Sequence, residues 1–369
     1  MQTERKQEYY ILIGNMNEDE KQLFAKRLKA LREMKGLSQA ELAKRMDGLI
    51  TPQAIYKYEN GKMSPDSAVL IRLAEVLGVD TGAFIRPAGM QVEGFAFRKQ
   101  STLGVKRQKA IEMQVVDAIE RYADIEDILG LDEQFDKTPF GRLVSSLDDA
   151  KEVAKTLRKE WRLGEDGIAC LLPMLEERHV RVIEIEEKEK FSGLSGWAGE
   201  MPIVVVKKDE RTERKRFTAL HELGHLILNM TEEVNDKEKE TLCNQFANEV
   251  LLPECVVKKV LGDSGDKVLS LHELVELQKQ YGISIDAIVY KLHEMGIFNE
   301  NRYVNYFKRK RVDKAFKDFV ELSRIKEEHS DRFECLAYKA YVMELTSLSK
   351  TAELLAEPEK EIFKKAISL

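Results

Sequence analysis

Two histidines four residues apart, with a glutamate directly after the first, stand at His221-Glu222-Leu223-Gly224-His225. On an α-helix, residues at i and i+4 share a face, so both imidazoles can reach one ion. Glu222 adjoins the first histidine without being a ligand itself. A carboxylate there can take a proton from water coordinated to zinc, which lowers the water's pKa to about 7. Phe217, Leu220, Leu223, Leu226 and Ile227 surround the motif with apolar surface, which predicts a buried helix rather than an exposed one with two chance histidines. A catalytic zinc takes three protein ligands and keeps one position open. Glu240 is the candidate third ligand, four residues before Asn244 on a second predicted helix. That helix carries the apolar stripe Leu242, Phe246 and Val250 for packing on the first, and residues 229–236 can reverse the chain between them. Spacing alone leaves Glu240 open as one more surface carboxylate among Asp236, Glu238 and Glu249. Asn244 is placed to orient a histidine from behind the metal. Cys243 reads as a small buried residue rather than a ligand. Hydrolysis also needs a group to stabilise an oxyanion. His272, Tyr281, Tyr290 and His293 are candidates, and nothing in the sequence selects one.

A second constellation suits a different chemistry. Gln53, Tyr56, Lys57 and Asn60 follow the i, i+3, i+4, i+7 spacing of one helix face, while Ile55 and Tyr58 face inward. Those side-chain types can reach bases and phosphates. Thr51 and Lys62 flank the stripe, and Gln39 opens the preceding helix, whose N-terminal N–H groups favour phosphate. Residues 21–62 hold ten basic and four acidic side chains, a local +6 in a chain of net charge −6. Positive charge confined to one segment points to one nucleic-acid-binding module rather than a wholly basic binder.

These residues need elements to hold them. Ser38-Gln39-Ala40-Glu41 is a capping box, so a helix starts there. Thr51-Pro52 starts another, with proline in the first turn where its missing N–H costs nothing. Asn60-Gly61 stops it, because glycine accepts the left-handed conformation. Ser64-Pro65-Asp66 is expected to start a further helix in the same way as Thr51-Pro52, and Gly78 to end it. Residues 87–104 read as a linker. Residues 108–129 and 148–161 read as helices, with a break at 138–141. The β-branched runs 180–185 and 203–206 predict strands. Between them Ser192-Gly193-Leu194-Ser195-Gly196 reads as a turn-rich segment. Helices are expected over 213–228, 237–252, 269–281 and 285–295, and the last seventy residues read as helical and highly charged.

The run from Arg216 to His225, followed by Glu240 to Ala247 and Leu251-Leu252-Pro253, resembles the ImmA/IrrE family of metallopeptidases. The upstream run 154–185, with Leu157-Arg158-Lys159-Glu160-Trp161 and Leu175-Glu176-Glu177, resembles it too. Members are linked to cleavage of transcriptional repressors in stress responses and mobile elements. The resemblance implies a third zinc ligand at Glu240. Where the family usually has alanine before the asparagine, this chain has Cys243. Separately, 20–80 resembles the Xre-type helix-turn-helix of phage repressors, which implies an ion pair between Arg32 and Glu59 behind the DNA-binding surface. Residues 46–50 make the connection to the recognition helix slightly longer than in that family.

Cys170, Cys243, Cys255 and Cys335 form no CxxC pair, which fits reduced thiols and a cytoplasmic location. No stretch approaches the roughly 18–20 apolar residues that span a membrane. The expectation is therefore an α+β protein. An all-helical helix-turn-helix domain (18–86) and a connection (87–145) precede a small mixed α/β, zincin-like metallopeptidase domain (146–300) and a helical C-terminal region (301–369). It would bind zinc, a double-stranded DNA operator and a protein substrate of the repressor class, as a monomer or a homodimer. The rival expectation is a DNA-binding regulator or antitoxin whose zinc domain binds a partner without cutting it.

Overall fold

A computed structural model describes residues 16–79, 81–84, 92–93, 104–187, 191–262 and 269–367. Most of the expected linker over 87–104 lies outside the described residues. The chain is α+β and divides into two compact units. Among the described residues, no helix is long and apolar enough to cross a membrane.

The first unit begins with α1 (Glu18–Met34), α2 (Gln39–Arg45), α3 (Pro52–Glu59) and α4 (Ser67–Leu77). Capping decides where each starts. Asn17 with Glu20, and Ser38 with Glu41, form reciprocal boxes, and the Thr51 hydroxyl accepts from the Ala54 N–H. For α4 the expectation of a Ser64 cap is corrected: Asp66 is the cap, its carboxylate accepting from the Val69 N–H at 2.8 Å. A carboxylate is the stronger acceptor, and this places Pro65 outside the helix. Gly61 has φ of 66°, as its role in stopping α3 requires. Phe24, Leu28, Leu42, Ile55, Leu70 and Leu73 form the core of this bundle. A long helix, α5 (Val105–Leu129), packs on α1 through a buried Arg27–Glu120 pair at 2.5 Å. Three C-terminal helices (Arg332–Val342, Leu348–Leu355 and Glu359–Ile367) belong to the same unit. Arg332 anchors them to α5, donating to Glu126 at 2.8 Å and to the Tyr122 hydroxyl at 3.0 Å. The sequence reading groups 301–369 together, whereas the unit boundary falls at Asp331.

The main sheet has four strands in the order β1-β4-β5-β3, where β1 is Val92–Glu93, and its strands β3, β4 and β5 lie in the second unit. A separate two-stranded pair joins β2 (Leu143–Val144) to β6 (Asn229–Met230). In the main sheet β3 (Arg181–Ile185) runs parallel to β5 (Met201–Lys207), with Ile183 opposite Val205. β4 (Gly193–Ala198) is antiparallel to β5, with Ser195 opposite Val204. The turn-rich reading of this segment is thus corrected: it is a strand, joined to β5 by a tight turn where Gly199 has φ of 60°. Backbone pairing to the β-branched run Val204–Val206 outweighs the weak strand propensity of its two glycines.

Four helices follow, α6 (Leu147–Glu160), α7 (Leu171–Glu177), α8 (Thr212–Ile227) and α9 (Asp236–Leu251); α7 and α8 pack on the sheet, α9 packs on α8, and α6 packs on α9. Val204 and Val206 from the sheet, Leu220 and Leu223 from α8, and Leu242 and Phe246 from α9 share one core. α10 (Glu254–Leu261), α11 (Leu271–Tyr281), α12 (Ile285–Glu294), α13 (Glu300–Val312) and α14 (Lys314–Glu321) complete the unit. After α14 the chain runs back past the start of α8. There Lys215 donates to Glu184 at 2.7 Å and to the Glu328 carbonyl at 3.0 Å, and Glu213 accepts from Gln278 at 2.8 Å. Burial lowers the Arg216 pKa and raises that of Glu328, while their charges, 3.8 Å apart, oppose both shifts.

Candidate metal centre and DNA-binding face

The first half of α8 is fixed by these polar clamps and by apolar contact with β4 and β5, so its second half presents fixed side chains. His221 and Glu222 are each only 3% exposed. His225 sits one turn further on, partly open. α9 approaches closely at Gly224, where a Cβ would lie 3.2 Å from the Phe246 ring and 3.3 Å from Cys243 Sγ. That approach brings Glu240 across to the histidines. Its carboxylate oxygens lie 3.4 Å from His221 Nε2 and 3.4 Å from His225 Nε2, and the two Nε2 atoms are 3.1 Å apart.

These distances fit a metal. Bonds of about 2.0–2.1 Å to a tetrahedral ion set neighbouring ligand atoms roughly 3.3 Å apart. The tautomer fits as well: His221 Nδ1 lies 2.8 Å from Asn244 Oδ1, which can only accept. Nδ1 therefore carries the proton and Nε2 turns its lone pair toward His225 and Glu240. Two nitrogens and a carboxylate facing one another at this range could hold a cation among them. Among the described residues, this is the one group of three or more such side chains able to hold an ion. Cys243 is fully buried and lies outside the group, as a packing residue would.

Glu222 is excluded from the triangle and points to the sheet. Its Oε2 accepts from the Ser195 hydroxyl at 2.9 Å. Sequence reasoning missed Ser195, because its segment read as a turn; a period-two face of Gly193, Ser195 and Trp197 is the signal that could have found it. His272 lies 3.9 Å from Glu276, and His293 contacts Glu300 at 2.9 Å and stacks on Tyr303. Tyr281 is core and Tyr290 is exposed on α12.

In the first unit Gln53, Tyr56, Lys57, Asn60 and Lys62 are all exposed on or just after α3. Asn60 Nδ2 donates to the Tyr56 carbonyl at 2.7 Å, and Lys62 lies over the Tyr56 ring at 6.0 Å. Thr51 is exposed while capping α3. Gln39 is half-buried and donates to Glu59 at 2.7 Å. Behind this face Arg32 grips Glu59 through Nε at 2.5 Å and Nη2 at 3.0 Å, the ion pair that the helix-turn-helix resemblance implies.

Comparison with known proteins divides the chain along the same lines. A helix-turn-helix model matches residues 28–84, and a model of the IrrE N-terminal-like domain, a peptidase family, matches residues 175–293. Over 104 residues the chain is 32% identical to the radiation response metalloprotease IrrE of Deinococcus radiodurans, covering 25% of this chain and 31% of that protein. Over 71 residues it is 38% identical to an SPbeta prophage-derived uncharacterized HTH-type transcriptional regulator of Bacillus subtilis, YonR, covering 19% of this chain and 64% of that protein. The chain thus spans under a third of the first relative and just under two thirds of the second. No solved structure matches the chain at a significant level.

Proposed function

We propose that this chain, which joins a helix-turn-helix domain to an IrrE-like metallopeptidase domain, is a zinc-dependent peptidase that cleaves a transcriptional repressor and so switches on a stress or mobile-element response. The observation that carries the reading is the division of labour on α8. Two histidines and Glu240 converge within metal-ligand distance, while the intervening Glu222 stays out of that triangle. A purely structural metal site has no use for such a carboxylate.

In this reading His221, His225 and Glu240 hold zinc, and Asn244 keeps His221 in the tautomer that leaves Nε2 free to bind. Zinc bound there supplies Lewis acidity and lets water act as a nucleophile near neutral pH. Glu222 acts as general base, taking a proton from the attacking water, and then as general acid, returning it to the departing amine. The burial of Glu222 keeps bulk water from competing for that proton. The helix-turn-helix domain brings the enzyme to an operator, where a bound repressor is at high local concentration. Gln53, Tyr56, Lys57, Asn60 and Lys62, with Gln39 and Thr51 beside them, form the DNA-contact surface.

The test combines metal content with cleavage. Protein purified without added metal should carry one zinc per chain, and His221→Ala should lose it. Zinc-loaded wild type should cut peptides in a proteome-derived library read by mass spectrometry, and Glu222→Gln should keep zinc yet cut none. Retention of stoichiometric zinc by His221→Ala, or equal cutting by Glu222→Gln, overturns the assignment.

A further inference from the structure

The face of β4 turned toward α8 carries a feature that zinc ligation does not explain. Side chains alternate along a strand, so Gly193, Ser195 and Trp197 share that face. Ser195 is buried, and its hydroxyl donates to Glu222 Oε2 at 2.9 Å. At Gly193 an added Cβ would lie 2.7 Å from Glu222 Oε1, 2.9 Å from its Cγ and 2.6 Å from Thr218 Cγ2. One position of the strand therefore fastens one carboxylate oxygen, and the position two residues earlier leaves room for the other. Together they define where the Glu222 carboxylate can sit.

We infer that Ser195 and Gly193 are positioning residues for Glu222: β4, through the Ser195 hydroxyl and the space left by the absent Cβ of Gly193, holds the carboxylate in the orientation that proton transfer requires. The inference rests on the reading of Glu222 as general base and extends it to an element outside the metal-binding motif. The need is physical. A glutamate has three side-chain torsions, so its carboxylate needs contacts to hold one orientation. A general base must hold its oxygen within about 2.6–3.2 Å of the proton it takes. A small misplacement at the reacting centre is costly in rate. The plain alternative is that Ser195 merely satisfies a buried hydroxyl, as any buried polar group must. Gly193 argues against it, because side-chain satisfaction gives no reason for a missing Cβ opposite the same carboxylate.

The two readings separate by experiment. The probe is acetohydroxamate, a small ligand that chelates a catalytic zinc and shares a proton with the adjacent carboxylate. Its affinity for zinc-loaded full-length protein needs no knowledge of the natural substrate. Ser195→Ala should weaken it about 10–100-fold, the usual effect of losing an outer-sphere partner. Zinc stoichiometry should stay at one per chain. Ser195→Thr, which keeps the hydroxyl, should restore binding. Gly193→Ala should weaken binding similarly while zinc stoichiometry stays at one per chain, because its methyl would enter the space of the Glu222 carboxylate and of Thr218 Cγ2. On a peptide that wild type cuts, the loss should fall on kcat and leave KM near its wild-type value. Unchanged hydroxamate affinity in Ser195→Ala overturns the positioning role while leaving the peptidase reading intact. If Glu222→Gln binds hydroxamate as tightly as wild type, or wild type takes up no zinc, the general-base reading falls and this inference with it.

Discussion

At the scale of single residues the metal-binding motif was legible because helical periodicity is local. His221 and His225 are one turn apart, and spacing alone puts them on one face. Glu240 was not fixed by spacing. Its place depends on how closely α9 approaches α8, which Gly224 permits by lacking a Cβ against Phe246 and Cys243. Glu222→Gln is expected to lower cleavage by about 10²–10⁴-fold, the range for losing a general base, with the melting temperature unchanged. Loss of zinc in this variant, measured by metal analysis, would instead make Glu222 structural. The Arg32–Glu59 pair is the residue-scale determinant of the DNA-binding bundle. Both side chains are nearly buried, at 10% and 3% exposed, and removing one leaves the other charge without its partner. Arg32→Ala should therefore cost about 3–5 kcal/mol. Hydrogen exchange of the full chain should show the loss as faster exchange across α1 to α4. The full chain is the right material, because Arg27 reaches out of the bundle to Glu120 on α5. Unaltered protection would show the pair to be solvated.

Among the elements, the helices and strands with strong periodicity or β-branched runs were readable, and β4 was not. Gly193, Ser195 and Gly196 look like a turn in isolation, and only pairing with β5 makes them a strand. The start of α4 differs from the expectation because Ser64 and Asp66 are both good caps by type, and the Asp66 carboxylate, the stronger acceptor, takes the Val69 N–H. Helix α6 offers a pH test of a cap. The Arg142 guanidinium, then the Ser146 hydroxyl and the Ser145 N–H, hold the Asp149 carboxyl well below the usual carboxylate range. A depressed pKa contributes stability that is present above the unfolded value, about 3.9, and is lost as pH falls through the folded value. The melting-temperature gap between wild type and Asp149→Asn should be full above about pH 4 and should narrow as the pH is lowered further. A gap that stays constant down to pH 2 would mean the cap is not linked to protonation. Helix α3 offers a test of recognition. A glutamine amide can pair with adenine, so Gln53→Ala should relax base preference at a cost of about 1–3 kcal/mol. Lys57→Ala should weaken binding to all sequences alike and flatten the salt dependence, as loss of a phosphate contact does. Selection from a random duplex pool with each variant separates the two, and a wild type that enriches no motif would make the domain an interaction module.

For the whole molecule, composition located one basic module in an acidic chain, and that module is the bundle bearing the exposed α3 face. What composition could not locate is the fate of the C-terminal helices. They join the first unit through Arg332, Glu126 and Tyr122, contacts more than two hundred residues apart in sequence that no local pattern encodes. The chain thus leaves the first unit after α5, forms the second unit with its candidate metal site, and returns to the first at Asp331. The central claim is that this assembly hydrolyses a repressor. Its most direct measurement is intact-mass spectrometry of repressors encoded beside the gene after incubation with zinc-loaded protein. The account predicts that one repressor yields two fragments whose masses sum to the parent plus one water, and that Glu222→Gln or removal of zinc abolishes them. Repressors that stay intact while binding the protein tightly would contradict it and make the zinc domain a partner-binding module.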